Sequence, residues 1–202
     1  MPKKKSLLSY SKKFEKKDNN PNEKIINLLK AESKKGKLLF ISNAPEAKEA
    51  QQLGFEVTVV DNDLEIIKES KINNPEINYQ YTEFFNFSKR IKKDQFDTIF
   101  DNSYSNLLLR SNQSKFYKEI GRILKFNGNI ISKILSTDDK YCQKHCPKRH
   151  WTVIGDYHIN YFDKKQIYKI LRRYGFIINK YDILKNKNTC HLLNSTMKAM
   201  KL

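Results

Sequence analysis

Asp61 closes the apolar run Phe55-Glu56-Val57-Thr58-Val59-Val60. A carboxylate at the end of such a run suits it to accept both hydroxyls of a ribose, with Asn62 next to it. The competing role for Asp61 or Asp63 is to cap the helix that follows. Asp101 closes a second run, Phe96–Phe100, and leads into Asn102-Ser103-Tyr104. Further along, Tyr141-Cys142-Gln143-Lys144-His145-Cys146-Pro147-Lys148-Arg149-His150-Trp151 gathers thiols, imidazoles and cations. Cys142, His145, Cys146 and His150 include spacings that a zinc ion uses, with Cys190 or His191 as a distant further ligand, although two clean ligand pairs are missing. The other readings of this stretch are a lid that turns Arg149, His150 and Trp151 toward a substrate, and ordinary packing beneath a solvated basic turn.

These groups need elements to hold them. Pro21-Asn22-Glu23 opens a helix carrying Ile25, Ile26, Leu28 and Leu29, with a lysine-rich last turn and Gly36 beyond. Alternation follows: strand 37–41, helix 45–53, strand 55–60, a helix from Asp63 to Lys71, and a weaker strand 77–81. Then come strand 96–100, an amphipathic helix 113–125 with Phe116, Ile120, Ile123 and Leu124 on one face, a turn at Asn127-Gly128 and strand 129–135. After an irregular stretch, a capped helix spans 163–174, Gly175 stops it, and 176–183 with 189–195 form a closing hairpin. Apolar strands alternating with helices of about 9–13 residues specify a parallel sheet covered on both faces. The expected architecture is α/β, doubly wound, in one domain over 20–202 that follows a basic tail, 1–19. Ligands of such sheets bind at the carboxyl ends of the strands. That puts Ser42, Asn43, Ala44, Asp61, Asn62, Glu83 and the segment from Asp101 to Asn106 at one edge.

The chain has 202 residues, 39% hydrophobic and 12% aromatic, enough for a full core and against disorder of its body. No window approaches the ~20 apolar residues of a membrane helix, and no apolar run of export-signal length follows Lys3-Lys4-Lys5. Three cysteines make no disulfide framework. A cytoplasmic, reducing setting is therefore expected. The formal charge is +17, with 12 Lys against four acidic residues in 1–37. This charge fits a nucleic-acid partner reached through the N-terminus, and equally a solvated lysine surface enlarged by A/T-rich codons, since only six of the 39 cations are Arg.

Residues 37–183 resemble a class I S-adenosylmethionine-dependent methyltransferase. The likeness lies in Leu38-Leu39-Phe40-Ile41 through Asp61, in Phe96-Asp97-Thr98-Ile99-Phe100-Asp101 with Phe116 to Asn129, and in Tyr161-Phe162-Asp163 through Gly175-Phe176. It is nearest to small-molecule methyltransferases of the tellurite-resistance and thiopurine kind. The resemblance implies a seven-stranded Rossmann-like sheet of order 3-2-1-4-5-7-6 and S-adenosyl-L-methionine as cofactor. The cofactor would be held by Ser42, Asn43, Ala44, Asp61, Asn62, Glu83 and Asp101. It implies Asp101 and Tyr104 beside the transferred methyl, Asp101 being the candidate base for a hydroxyl or amine acceptor, and a substrate-covering insertion over 137–160. The acceptor is expected to be a small molecule or an RNA. An RNA 2′-O-methyl version pairs Asp101 with Lys133, but Asn194 stands where its glutamate belongs. The main departure is the loop after the first strand, where the family carries Gly-x-Gly. Leu38–Leu53 holds no glycine, and Glu46 sits where one normally follows an Ala-Pro step. The alternative reading is a catalytically inactive methyltransferase fold serving as an RNA- or protein-binding subunit.

Overall fold

The computed structural model describes residues 21–42, 44–185 and 189–198. The expected basic tail, 1–19, and Asn43 lie outside the described residues.

Helix α1 (Pro21–Ala31) precedes strand β1 (Lys37–Ile41), then α2 (Ala47–Gln52), β2 (Glu56–Asp61), α3 (Leu64–Asn73) and β3 (Asn78–Tyr81). After them come α4 (Phe84–Ser88), β4 (Phe96–Asn102), a 3-10 turn (Tyr104–Leu107), α5 (Arg110–Ile123) and β5 (Leu124–Leu135). The chain continues through α6 (Lys140–His145), β6 (Trp151–Ile154), β7 (Tyr157–Asn160), α7 (Lys164–Arg173), β8 (Phe176–Lys185) and β9 (Thr189–Met197). The main sheet has seven strands in the order β3-β2-β1-β4-β5-β9-β8. β1, β2, β3, β4 and β5 run parallel, and β9 lies antiparallel between β5 and β8. This is the expected order; the labels differ because a small separate hairpin, β6–β7, precedes the last two strands.

Helices cover both faces of the sheet at its centre, which is why β1 and β2 are buried on both faces rather than alternating, while the edge strand β3 is polar. On one face Leu38, Phe40, Val57, Val59, Phe100 and Ile131 pack beneath α1 and α2. On the other, Leu39, Ile41, Ile99, Ile130 and Ile134 pack beneath α4, α5 and α7, with Phe84, Phe116 and Leu171 fully buried. Two element boundaries depart from expectation. α1 stops at Ala31, short of Gly36, because the Lys35 ammonium folds back and donates to the carbonyls of Leu29 (2.6 Å), Lys30 (2.9 Å) and Glu32 (2.6 Å). Those carbonyls have no intrahelical partner at a helix end, and a cation satisfies them well. α5 stops at Ile123, and the register of β5 on β4 jumps from Leu124 to Asn129 around the Asn127-Gly128 turn. Asn127 takes φ 60°, and a Cβ on Gly128 would lie 2.8 Å from the Lys125 carbonyl.

The amino ends of β1, β4 and β5 are tied at Asp97. Its carboxylate accepts from the Lys37 amide (2.9 Å) and the Lys125 ammonium (2.8 Å) and pairs with Lys34 (3.0 Å). Gly36 packs against the same carboxyl with no room for a Cβ. Burial pushes the Asp97 carboxyl up, but the hydrogen bonds from Lys125, Lys37 and Lys34 outweigh it and hold the group down at about 2. A depressed folded value means that the stability it contributes is present above about pH 4 and is lost as the pH falls toward 2. Asp97→Asn is therefore expected to flatten that part of the melting-temperature profile; an unchanged acid limb between pH 4 and 2 would contradict this assignment.

Candidate functional site

The opposite, carboxyl edge of the sheet carries the candidate residues. The β1–α2 turn contains no glycine, yet it takes glycine's conformation. Ser42 sits at φ 68°, and its amide donates to the Val60 carbonyl at 2.9 Å. An L-residue in the left-handed region costs roughly 1–2 kcal/mol. Ala44 is half-buried and its carbonyl accepts from the Ala47 amide at 3.1 Å, while Glu46 is 2% exposed and its carbonyl opens α2.

At the end of β2 one of the two aspartates caps the helix that follows. Asp63 is the helix cap: its Oδ1 accepts from the amides of Glu65 (2.9 Å) and Ile66 (3.2 Å). Asp61 is 6% exposed, and its Oδ1 accepts from the Asp63 amide at 2.8 Å, which fixes the carboxylate at the strand terminus. Asn62, Glu83 and Tyr104, from the ends of three different strands, meet. The Asn62 amide nitrogen donates to Glu83 Oε1 at 2.7 Å, and the Tyr104 hydroxyl donates to Oε2 at 3.5 Å. Burial, then the negative charges of Glu83 and Asp101, push the Tyr104 phenol well above its ordinary value, so it stays a donor.

Asp101 differs from its expected role. It is fully buried, and its Oδ1 accepts from the Ser105 amide at 3.2 Å, closing the 3-10 turn. Burial pushes its carboxyl up to about 6, partly offset by hydrogen bonds from Ser105 and the Tyr104 backbone. A group in this position shapes the loop from beneath and has no surface from which to take an acceptor's proton. The Asp101–Lys133 pairing fails on register. Asp101 is aligned with Ser132, and Lys133 with Asn102, so the carboxylate and the ammonium leave opposite faces of the sheet. Because the folded value is raised, the stability Asp101 contributes is fully present below about pH 4 and is lost as the pH rises through 6. Asp101→Asn keeps the acceptor for Ser105 and is expected to stabilise the fold at pH 7 by roughly 1–3 kcal/mol. Urea unfolding at pH 4 and 7 checks this, and destabilisation at pH 7 would contradict it.

The stretch 137–160 is ordered where an irregular segment was expected. Asp139 caps α6, its Oδ1 accepting from the Tyr141 amide (2.9 Å) and its Oδ2 from the Thr189 amide (2.8 Å). Cys142 and Cys146 turn inward and pack with Tyr161, and burial with the neighbouring Cys146 pushes the Cys142 thiol up to about 12. His145 instead points out and lies 4.3 Å from the Tyr141 ring. His150, at φ 57°, serves the backbone: its amide donates to Cys146 and its carbonyl accepts from Tyr161. The four zinc candidates are thus not brought together, and among the described residues no three His, Cys, Asp or Glu side chains form a metal-ligand group.

The hairpin β6–β7 is fastened to the loop after β4 by a reciprocal pair of buried asparagines. Asn106 Nδ2 donates to the Asn160 carbonyl (2.7 Å), and Asn160 Nδ2 donates to the carbonyls of Asn106 (3.0 Å) and Leu108 (2.7 Å). Asn106 Oδ1 also accepts from the Leu135 amide at 3.1 Å. Neither asparagine carries a sequence signal, since they lie 54 positions apart in an asparagine-rich chain. On the same hairpin the Trp151 indole stacks with His158 (centroids 5.1 Å, 26°), and the Arg149 guanidinium lies 5.8 Å over the indole. Arg149 and Trp151 were expected to work together; His158 was not foreseen. A shallow cavity of about 200 Å³ opens elsewhere, beside Lys24, Leu28, Lys180 and Asp182, and none of the candidate residues lines it. No helix among the described residues is long and apolar enough to cross a membrane.

No family model matches the sequence, and no curated protein matches it. Solved structures do match. One is a Burkholderia thailandensis 1,6-didemethyltoxoflavin-N1-methyltransferase with 1,6-didemethyltoxoflavin and S-adenosylhomocysteine bound, at 12% identity and TM-score 0.71, covering 95% of this chain and 85% of that one. A second is a SAM-dependent methyltransferase from Methanosarcina mazei, at 15% identity and TM-score 0.70, covering 92% and 100%. A third is the magnesium protoporphyrin IX methyltransferase of Synechocystis PCC 6803 with S-adenosylmethionine bound, at 12% identity and TM-score 0.65, covering 88% and 77%. With the strand order above, these likenesses show the fold: it is the Rossmann-like fold of the class I S-adenosylmethionine-dependent methyltransferases.

Proposed function

We propose that this chain binds S-adenosylmethionine at the carboxyl edge of β1, β2 and β4 and transfers its methyl group to an acceptor beneath α6 and β6–β7. The observation that carries the reading is Ser42. Its left-handed backbone supplies the turn that glycine supplies elsewhere, so the loop is shaped for a ligand although its sequence lacks the motif. A strained backbone kept at the ligand-facing end of a strand is a feature of binding sites.

The residues fit the cofactor's parts. Asp61, held at the end of β2 by the Asp63 amide, is placed where its carboxylate oxygens would accept from ribose hydroxyls. Ser42 and Ala44 line the turn against which the methionine portion would lie. Asn62, Glu83 and Tyr104 form the polar wall at the ends of β2, β3 and β4. When bound, S-adenosylmethionine supplies an electrophilic methyl carbon on a sulfonium. The chain's part is then orientation and exclusion of water, by the 3-10 turn that Asp101 closes and the hairpin that Asn160 fastens over it. With Asp101 buried, that carboxylate is not offered to the acceptor as a base, which favours acceptors that need little help in losing a proton.

The test is a melting curve with cofactor. At 100 times its dissociation constant a ligand stabilises by about 2.7 kcal/mol, several degrees for a domain of this size. An upward shift with both S-adenosylmethionine and S-adenosylhomocysteine is expected. No shift at millimolar ligand would remove methyl transfer and leave a fold used for binding other partners.

A further inference from the structure

The lid carries more than a cover needs. From Lys140 to Gly155 there is no acidic residue, while Lys140, Lys144, Lys148 and Arg149 all occur within it, and all four are exposed. Three of the chain's four histidines fall in this stretch, His145 at the end of α6, His150 just before β6 and His158 on β7. Two of them lie against aromatic rings: His145 tilted on Tyr141, and His158 stacked with Trp151, the only tryptophan. Arg149 adds a planar cation beside the indole.

The Trp151–His158 stack is anchored at the site. Trp151, His158 and Asn160 share one face of the hairpin, since Trp151 pairs with Asn160 and Val153 with His158. His158 Nε2 lies 3.1 Å from Asn160 Oδ1, and Asn160 holds the carbonyls of Asn106 and Leu108. A continuous line of contacts therefore runs from the loop after β4 to the stacked rings and on to Arg149. Stacked rings suit a flat heterocycle, and a guanidinium with neighbouring ammonium groups suits a phosphate.

We infer that this face of the lid is the acceptor's binding surface and that it takes a nucleobase with its phosphate. The base stacks at Trp151 and His158, and the phosphate pairs with Arg149 and Lys148. That chemistry belongs both to a free nucleotide and to single-stranded nucleic acid. The inference rests on the methyl-transfer reading only in calling the ligand an acceptor, because nucleotide binding is measured without cofactor.

With a single tryptophan, Trp151 emission reports on the site alone. The full-length protein is titrated at low salt with AMP, with a single-stranded oligoadenylate of about 12 nucleotides, and with tripolyphosphate. Saturable quenching by AMP or by the oligonucleotide, and little by tripolyphosphate, is expected. Equal affinity for the two supports a mononucleotide acceptor; much tighter binding of the oligonucleotide, with a steep salt dependence, supports a nucleic acid. Arg149→Ala should weaken binding at least fivefold and reduce the salt slope by about one. Lys115→Ala, on α5 above Phe85, should leave both unchanged. The inference is overturned if neither nucleotide ligand quenches Trp151, if tripolyphosphate quenches as well as they do, or if Lys115→Ala weakens binding as much as Arg149→Ala. A melting shift with S-adenosylmethionine alongside any of these results would leave the methyl-transfer reading standing.

Discussion

Asn160→Ala is expected to lower the unfolding free energy by about 2–6 kcal/mol, through two carbonyls left without donors in the interior. Asn160 is 2% exposed and Asn106 is fully buried, so water does not replace what is removed. The lost side chain donates to the carbonyls of Asn106 and Leu108 and faces His158. Each stranded buried acceptor costs about 1–3 kcal/mol. Asn160→Asp preserves size but turns the donor into a second acceptor facing the same carbonyls, so it should destabilise at least as much. Equilibrium urea unfolding of the three proteins checks this. A cost under about 0.5 kcal/mol for both variants would show that the asparagine pair does not fasten the hairpin.

Asp61→Ala is the second large effect, and it falls on binding more than on folding. α3 is capped by the Asp63 side chain, so the helix keeps its cap when Asp61 is removed, although the Asp63 amide loses its acceptor. Removing a charged acceptor from two ribose hydroxyls should cost about 1.5–3 kcal/mol of cofactor binding, roughly 10- to 150-fold in dissociation constant. Asp63→Ala is the companion: losing a helix cap should cost about 1 kcal/mol of stability with little effect on affinity. If Asp61→Ala lowers stability by the full amount while binding stays intact, Asp61 is a structural residue of the β2–α3 turn.

The central strands follow from local patterns, and their order from the family resemblance. Leu38–Ile41 is an unbroken apolar run, Val57–Val60 is interrupted only by Thr58 and Phe96–Phe100 only by Asp97-Thr98, and helices of the right length separate them, which leaves few topologies other than a covered parallel sheet. The Asp163 cap, with Gln166 returning to its amide, is a pattern of four adjacent residues. What escapes sequence reading is set by three-dimensional coincidence. α4, Phe84–Ser88, is too short to show a period. The Asn106–Asn160 pair joins ordinary polar residues across 54 positions. Register is equally invisible: Asp101 and Lys133 match as partners by type, and a one-residue offset between β4 and β5 sets them on opposite faces. The loop after β1 shows the reverse limitation, since the missing glycines suggest a lost turn, and Ser42 holds the turn anyway. Among the candidates, Asn62, Glu83 and Tyr104 do converge, whereas the zinc set does not.

Calorimetric titration of S-adenosylmethionine into wild type and Asp61→Ala addresses the central claim most directly. The expected result is saturable one-site heat for wild type, competition by S-adenosylhomocysteine, and an affinity 10- to 150-fold weaker for Asp61→Ala at ~1.4 kcal/mol per decade. Absence of heat from the folded wild-type protein at millimolar cofactor, or equal affinity of the two proteins, would contradict it.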